Sequence, residues 1–277
     1  MNKFVDYCLH SHTYRCGHAT GDIEDYVKKA LDYGIKYYGV SDHVILPGIN
    51  QPHMRGDYSL LEDYIDTFYK VKKAYEGKME MFLSFECEYC KVFDEYYRYL
   101  LKERQFDYLI CGQHMRFEDD KSSWWYLERG IDGVIQYKND IIEAMKSGLF
   151  LYIAHPDLFF LKISEITPFI KDIVDEMLDA SLKYDVPLEL NMQGLSREDR
   201  YSKYSNYYAY PCDFFWQRAK EKGVKIVIGG DYHNPDIIGN KKYTSELLEL
   251  IDKYDLKIMG IEELLLRIKN NKKQYEN

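Results

Sequence analysis

Gly34-Ile35-Lys36-Tyr37-Tyr38-Gly39-Val40-Ser41-Asp42-His43 runs through a helix stop, a short apolar strand and a polar strand end in immediate succession. Gly34 suits the left-handed position after a helix. Residues 37–40 read as a strand, and Ser41-Asp42-His43 ends it with groups capable of chemistry. Upstream, residues 23–33 carry apolar side chains at helical spacing. Downstream, a long helix is expected over about residues 59–75.

This unit repeats along the chain. Strands are expected at residues 5–9, 81–85, 108–111, 150–154, 187–190 and 225–228. Helices are expected at residues 94–102, 134–146, 170–183, 213–222, 245–253 and 261–269. Two stretches read as irregular: a charged, tryptophan-bearing loop at 116–128 and a tyrosine-rich segment at 196–210. The polar tail, 270–277, is expected to fray.

Strands joined by helices run parallel with right-handed crossovers. The series predicts an α/β fold, a distorted seven-unit TIM-like barrel, with an open doubly wound sheet as the alternative. No Gly/Ser/Pro-rich linker interrupts it, so residues 1–277 are expected to form a single domain.

The histidines follow the strand ends. His10, His12 and His18 follow the first strand, and His43, His114, His155 and His233 follow later ones; only His53 lies in plain loop. Parallel strands of a barrel open on one face, so these residues are expected to converge. Asp42, Glu86, Glu88 and Asp231 sit at the same ends. Imidazole mixed with carboxylate suits zinc, manganese or iron in a site that activates water. In His10-Ser11-His12 and Asp231-Tyr232-His233 the i and i+2 side chains point the same way along an extended backbone, so each pair can reach one metal. The same geometry leaves Glu86 and Glu88 as equal candidates. A single histidine at a strand end is more often a hydrogen-bonded surface or core residue, but seven with interleaved carboxylates are hard to obtain by chance.

Composition bounds the partners. The 277 residues carry a net charge of -9, which disfavours nucleic acid. It leaves open a small phosphorylated metabolite, since bound metal reverses the local sign. No run of about 18 apolar residues suggests a membrane span, and the first residues lack a signal-peptide pattern, so a cytoplasmic location is expected. Cys87 and Cys90 form a lone C-x-x-C and read as packing residues in a reducing compartment.

The combined pattern resembles the polymerase and histidinol phosphatase (PHP) family. It comprises His10-Ser11-His12, Cys16-Gly17-His18-Ala19, Ser41-Asp42-His43, Phe85-Glu86, Gly112-Gln113-His114, Ala154-His155-Pro156 and Gly230-Asp231-Tyr232-His233. The resemblance implies a distorted seven-stranded barrel with a trinuclear metal centre, of which two to three sites hold divalent metal. His10, His12, Glu86 and Asp231 would hold the first, and Glu86 would bridge to a second held by His114 and His155. His18, His43 and His233 would hold the third. The motif favours Glu86 over Glu88. Within the family the chain is most similar to the monofunctional histidinol-phosphatases, through its length and through Glu189-Leu190-Asn191 with Arg197 shortly after. Gln113 and Tyr232 depart from that branch, which often has serine-valine and alanine there.

The implied reaction is hydrolysis of a phosphomonoester, histidinol phosphate foremost, by hydroxide bridging two of the metals. Asp42 is expected to orient a histidine, with proton donation as the second reading. Arg197, with Arg116 and Lys162 behind it, is a candidate phosphate contact. Three other readings stand beside this one. The first is a PHP phosphoesterase of another substrate, and the second is a metal-binding domain without turnover. The third is a dinuclear amidohydrolase, which would want a bridging lysine that these strand ends lack.

Overall fold

The computed structural model describes residues 6–119, 122–197 and 209–276. In chain order the elements are β1 (Tyr7–Cys8), α1 (Ile23–Tyr33), β2 (Tyr37–His43), α2 (Leu61–Ala74), β3 (Glu80–Cys87), α3 (Asp94–Lys102) and β4 (Ile110–Cys111). Then come β5 (Met115–Phe117), β6 (Ser123–Trp125), α4 (Gly130–Ser147), α5 (Pro168–Tyr184), β7 (Leu188–Asn191) and α6 (Gln193–Ser196). The last are α7 (Asp213–Lys222), β8 (Ile226–Gly229), α8 (Lys241–Tyr254) and α9 (Ile261–Glu276).

Each helix forms for reasons visible in its sequence. α1 begins with a capping box between Asp22 and Asp25 and ends at Gly34 with φ 93°. Its buried residues, Ile23, Tyr26, Val27 and Ala30, recur at helical spacing and face the sheet. α5 starts with Thr167 as cap and Pro168 in its first turn. The strands lie buried between these helices, as expected of a parallel sheet.

β1, β2, β3 and β4 pair in that order, all parallel, and β7 pairs parallel with β8. Residues 150–154 form no continuous strand. Ile153 alone bridges to Cys111 on one side and Leu188 on the other. The backbone still bonds both neighbours: Ala154 N–H donates to Cys111 at 2.8 Å and Ile153 N–H to Pro187 at 3.0 Å. The segment is too short for a longer ladder because His155 turns out of it at φ 32°. The result is a curled parallel sheet with helices outside. Its first and last strands approach at their C-terminal ends, where His12 N–H donates to Tyr232 O and Asp231 N–H to His10 O, each at 2.9 Å.

Two further expectations differ from the structure. Residues 270–277 were expected to fray, but α9 runs on to Glu276, held where Leu264 and Ile268 pack into the second core cluster. The loop at 116–128 contains an antiparallel hairpin, β5 with β6. Its strands are too short for an alternating pattern to show. Most of the tyrosine-rich segment, 198–208, lies outside the described residues.

Candidate metal centre

Register builds the centre. β2 and β3 align so that His43 stands opposite Glu86, and β3 aligns Glu86 with Ile110 of β4. Glu86 becomes the hub. Its Oε1 lies 2.7 Å from His155 Nε2 and 3.7 Å from His114 Nε2. Its Oε2 lies 3.0 Å from His43 Nδ1, 3.5 Å from His12 Nε2 and 3.6 Å from His10 Nε2. Asp231 closes the far side, with Oδ1 3.0 Å from His12 Nε2 and 3.6 Å from His10 Nε2. His18 and His233 meet at the rim, Nε2 to Nε2, at 3.0 Å. The structure thus brings together His10, His12, His18, His43, Glu86, His114, His155, Asp231 and His233.

Around them stand groups that orient them. His10 Nδ1–H donates to Glu189 Oε1 at 2.7 Å. Glu189 Oε2 accepts from Asn191 Nδ2 at 2.8 Å and from His155 N–H at 3.1 Å. Asn191 Nδ2 also donates to Asp231 Oδ2 at 3.1 Å. Glycines make room: a Cβ on Gly112 would stand 1.8 Å from Glu86 Oε1, and one on Gly229 would stand 1.6 Å from Glu189 Oε1. Asp231 and His155 both have positive φ, 48° and 32°. Such strain in non-glycine residues gathers at functional sites.

The donor set fits divalent metal. In the neutral ring of His10, with Nδ1–H held by Glu189, Nε2 keeps its lone pair, and it faces His12 Nε2 at 3.1 Å. Two imidazole nitrogens brought this close want a shared cation. Glu86 and Asp231 are 1% and 5% exposed, and the ion pairs seen for both are to histidines. Buried carboxylates without lysine or arginine partners are expected to be paired or to coordinate metal. The electrostatics agree. Burial disfavours charge on Glu86, but His114, His10 and His43 hold its pKa well below the carboxylate range. Burial likewise opposes charge on His12, yet Asp231 and Asp42 raise it to about 9. Burial and the neighbouring His12 push His233 down to about 3. His43 touches two groups, one with His12 and His233, the other with Glu86 and His114.

Of the remaining candidates, Asp42 stands against the cluster. Asp42 Oδ2 accepts from Thr13 N–H and Thr13 Oγ–H, Oδ1 accepts from His43 N–H, and His12 Nδ1 stands 3.5 Å from Oδ1. Its carboxylate is engaged in holding the β1 and β2 ends. Arg116 is paired with Asp140. Lys162 is exposed at the end of a 3-10 turn, and Arg197 follows α6, half-buried. Gln113 clamps Tyr89 through both amide atoms, accepting from its N–H at 2.9 Å and donating to its carbonyl at 3.2 Å. A cleft of 310 Å³ opens beside His18 and His233, lined by Thr20, Gln193, Tyr232 and Tyr243 among others. A larger groove of 990 Å³ lies at the opposite ends of β2 and β3, lined by Lys36, Lys73 and Met79 among others, and includes none of these histidines.

Sequence reasoning gave Glu189, Asn191, Gln193 and Arg55 no place in the site. Glu189 had a signal: a carboxylate inside an otherwise apolar strand, Leu188–Asn191, needs a buried partner. Arg55 had none, since it lies in a loop.

A curled parallel α/β sheet with this His–carboxylate cluster at its C-terminal ends defines a metal-dependent phosphoesterase. The chain belongs to the PHP domain family, whose family model matches residues 9–193. It is 28% identical over 237 residues to a protein named "Probable histidinol-phosphatase" from Deinococcus radiodurans, covering 83% of this chain and 87% of the relative. It is 25% identical over 270 residues to a protein named "Probable phosphatase" from Clostridium acetobutylicum, covering 95% and 92%. A crystal structure of histidinol phosphate phosphatase from Lactococcus lactis, complexed with zinc, L-histidinol and phosphate, superposes with TM-score 0.70 at 15% identity, covering 91% and 95%; at that identity the likeness is one of fold.

Proposed function

We propose that the chain hydrolyses L-histidinol phosphate to L-histidinol and phosphate, in histidine biosynthesis. The observation that carries the chemistry is the convergence of imidazole nitrogens on the buried carboxylates of Glu86 and Asp231. The substrate rests on the relative from Deinococcus radiodurans, which matches over most of both chains.

Two or three divalent ions, zinc, manganese or iron, fit this donor set. His10, His12, Glu86 and Asp231 would hold one; Glu86, His114 and His155 a second; His18, His43 and His233 a third. The chemistry they supply is neutralisation of a phosphate dianion and activation of water near neutral pH. The chain's own residues do the rest. Glu189 and Asn191 fix His10 and Asp231, Asp42 ties the β1 end to the β2 end, and the curled sheet buries His10, His12 and Glu86. Arg197, four residues beyond Gln193 at the cleft, is the first choice for a phosphate contact, ahead of Arg116 and Lys162.

The curled sheet is read as a distorted barrel of seven units in one domain, supported by the single-residue bridges at Ile153 and the Ser11–Tyr232 bridge. A cytoplasmic setting accords with six free thiols, and the net charge of -9 argues against nucleic acid. Among the described residues, no helix is long and apolar enough to cross a membrane.

A panel of phosphomonoesters with one phosphodiester tests the substrate. Highest kcat/KM on L-histidinol phosphate is expected. A clear preference for another ester would keep the centre and discard the pathway.

A further inference from the structure

Arg55 is a guanidinium 1% exposed, in the loop between β2 and α2. Its Nε donates to Gln51 Oε1 at 2.7 Å, Nη1 to the Val44 carbonyl at 2.9 Å and Nη2 to Glu88 Oε2 at 2.9 Å. Glu88 is as deeply buried, and its other oxygen, Oε1, accepts from His114 Nδ1–H at 3.2 Å. A buried arginine–carboxylate pair is a poor way to stabilise a core: desolvation offsets the attraction, and apolar replacement of both partners is often neutral or better. This pair sits instead against the metal centre. Val44 N–H donates to the Glu86 carbonyl at 2.8 Å, so Arg55 grips the backbone flanking Glu86 as well as Glu88. An imidazole whose Nδ1–H is held by a carboxylate presents a bare Nε2. His114 Nε2 faces Glu86 Oε1 at 3.7 Å.

We infer that Arg55 and Glu88 are positioning residues for His114, fixing the tautomer and ring orientation that present its Nε2 beside Glu86. Glu88 sets the tautomer, and Arg55 sets Glu88. Glu189 does the same for His10, but its second oxygen is held by neutral N–H groups of Asn191 and His155. The relay extends outward, because Gln51 also donates to Ser123 Oγ at 3.0 Å on β6. It rests on the reading of His114 as a metal ligand.

The test compares the wild type with the double variant Arg55→Met/Glu88→Leu, which replaces the pair by apolar side chains. Ring-nitrogen NMR of metal-free protein reads the His114 tautomer, with the signal assigned by its loss in His114→Asn. The Nδ1–H form should dominate in the wild type and give way to a mixture in the double variant. Chelator competition with zinc should show at least one metal equivalent weakened about tenfold or more. The thermal midpoint of the metal-free variant should stay near wild type. An Nε2–H tautomer in the wild type, or unchanged tautomer and zinc affinity in the double variant, overturns the relay. If the double variant does not fold, the wild-type tautomer decides alone. A wild type that binds no zinc would overturn the metal reading, while the tautomer still decides the relay.

Discussion

At the scale of single residues, Glu86 is the group on which the centre depends, because its carboxylate lies 3.7 Å or less from five histidine nitrogens. Glu86→Gln removes the charge and half the acceptor capacity while leaving the shape. It should lower phosphatase activity by ~100-fold or more and reduce bound metal, as elemental analysis of the purified variant would show; wild-type metal content would remove Glu86 from the ligand set. Asp42 differs. Its oxygens hold Thr13 and His43 backbone groups, so Asp42→Asn, which keeps an acceptor, should leave kcat within about tenfold, near the lower bound for second-sphere groups. A far larger loss, without loss of metal, would return Asp42 to the proton-donor role. Among the sequence-chosen residues, spacing could not separate Glu86 from Glu88. The geometry does: Glu86 faces the histidines, and Glu88 faces Arg55 and His114.

At the scale of elements, glycines decide whether carboxylates reach the centre. Gly112 follows β4, and a Cβ there would meet the Glu86 carboxylate. Gly112→Ala should cost metal affinity and activity together while leaving the secondary structure intact by circular dichroism. Full activity would show that Glu86 tolerates displacement. Asp157, buried after His155, ties the sheet to α7: its Oδ2 accepts from Cys212 N–H at 2.7 Å and Trp216 Nε1–H at 2.9 Å. Asp157→Ala leaves both donors unpaired and should cost roughly 2–4 kcal/mol, read as a lowered denaturation midpoint. The helices were legible because long amphipathic periods and caps mark them: residues 23–33, 94–102 and 213–222 stand where the pattern put them. The shrinking of the expected strand over 150–154 to single bridges at Ile153, and the hairpin β5–β6, were not. Their hydrogen bonds come from distant neighbours, and stretches so short carry no period of their own. The C-terminal turns of α9 were misread because their polar composition hides the apolar contacts made earlier in the same helix.

At the scale of the whole molecule, folding gathers carboxylates and imidazoles from strand ends far apart in sequence into one buried cluster, which offers a cation many ligand atoms that the unfolded chain scatters. Metal should therefore act as a folding ligand. At free metal 100- to 1,000-fold above Kd the stabilisation is about 3–4 kcal/mol per site. For a chain of this size that is roughly a 5–10 °C rise in thermal midpoint. Chelation should lower the midpoint by that order, and re-addition should restore it. The central claim joins that centre to one reaction. The most direct test is phosphate release from L-histidinol phosphate by protein stripped of metal and then reloaded separately with manganese, zinc or iron. Turnover should be negligible in the stripped protein and strong on reloading with at least one of these ions. Equal turnover by the stripped and reloaded protein, or none with any ion, would contradict the claim.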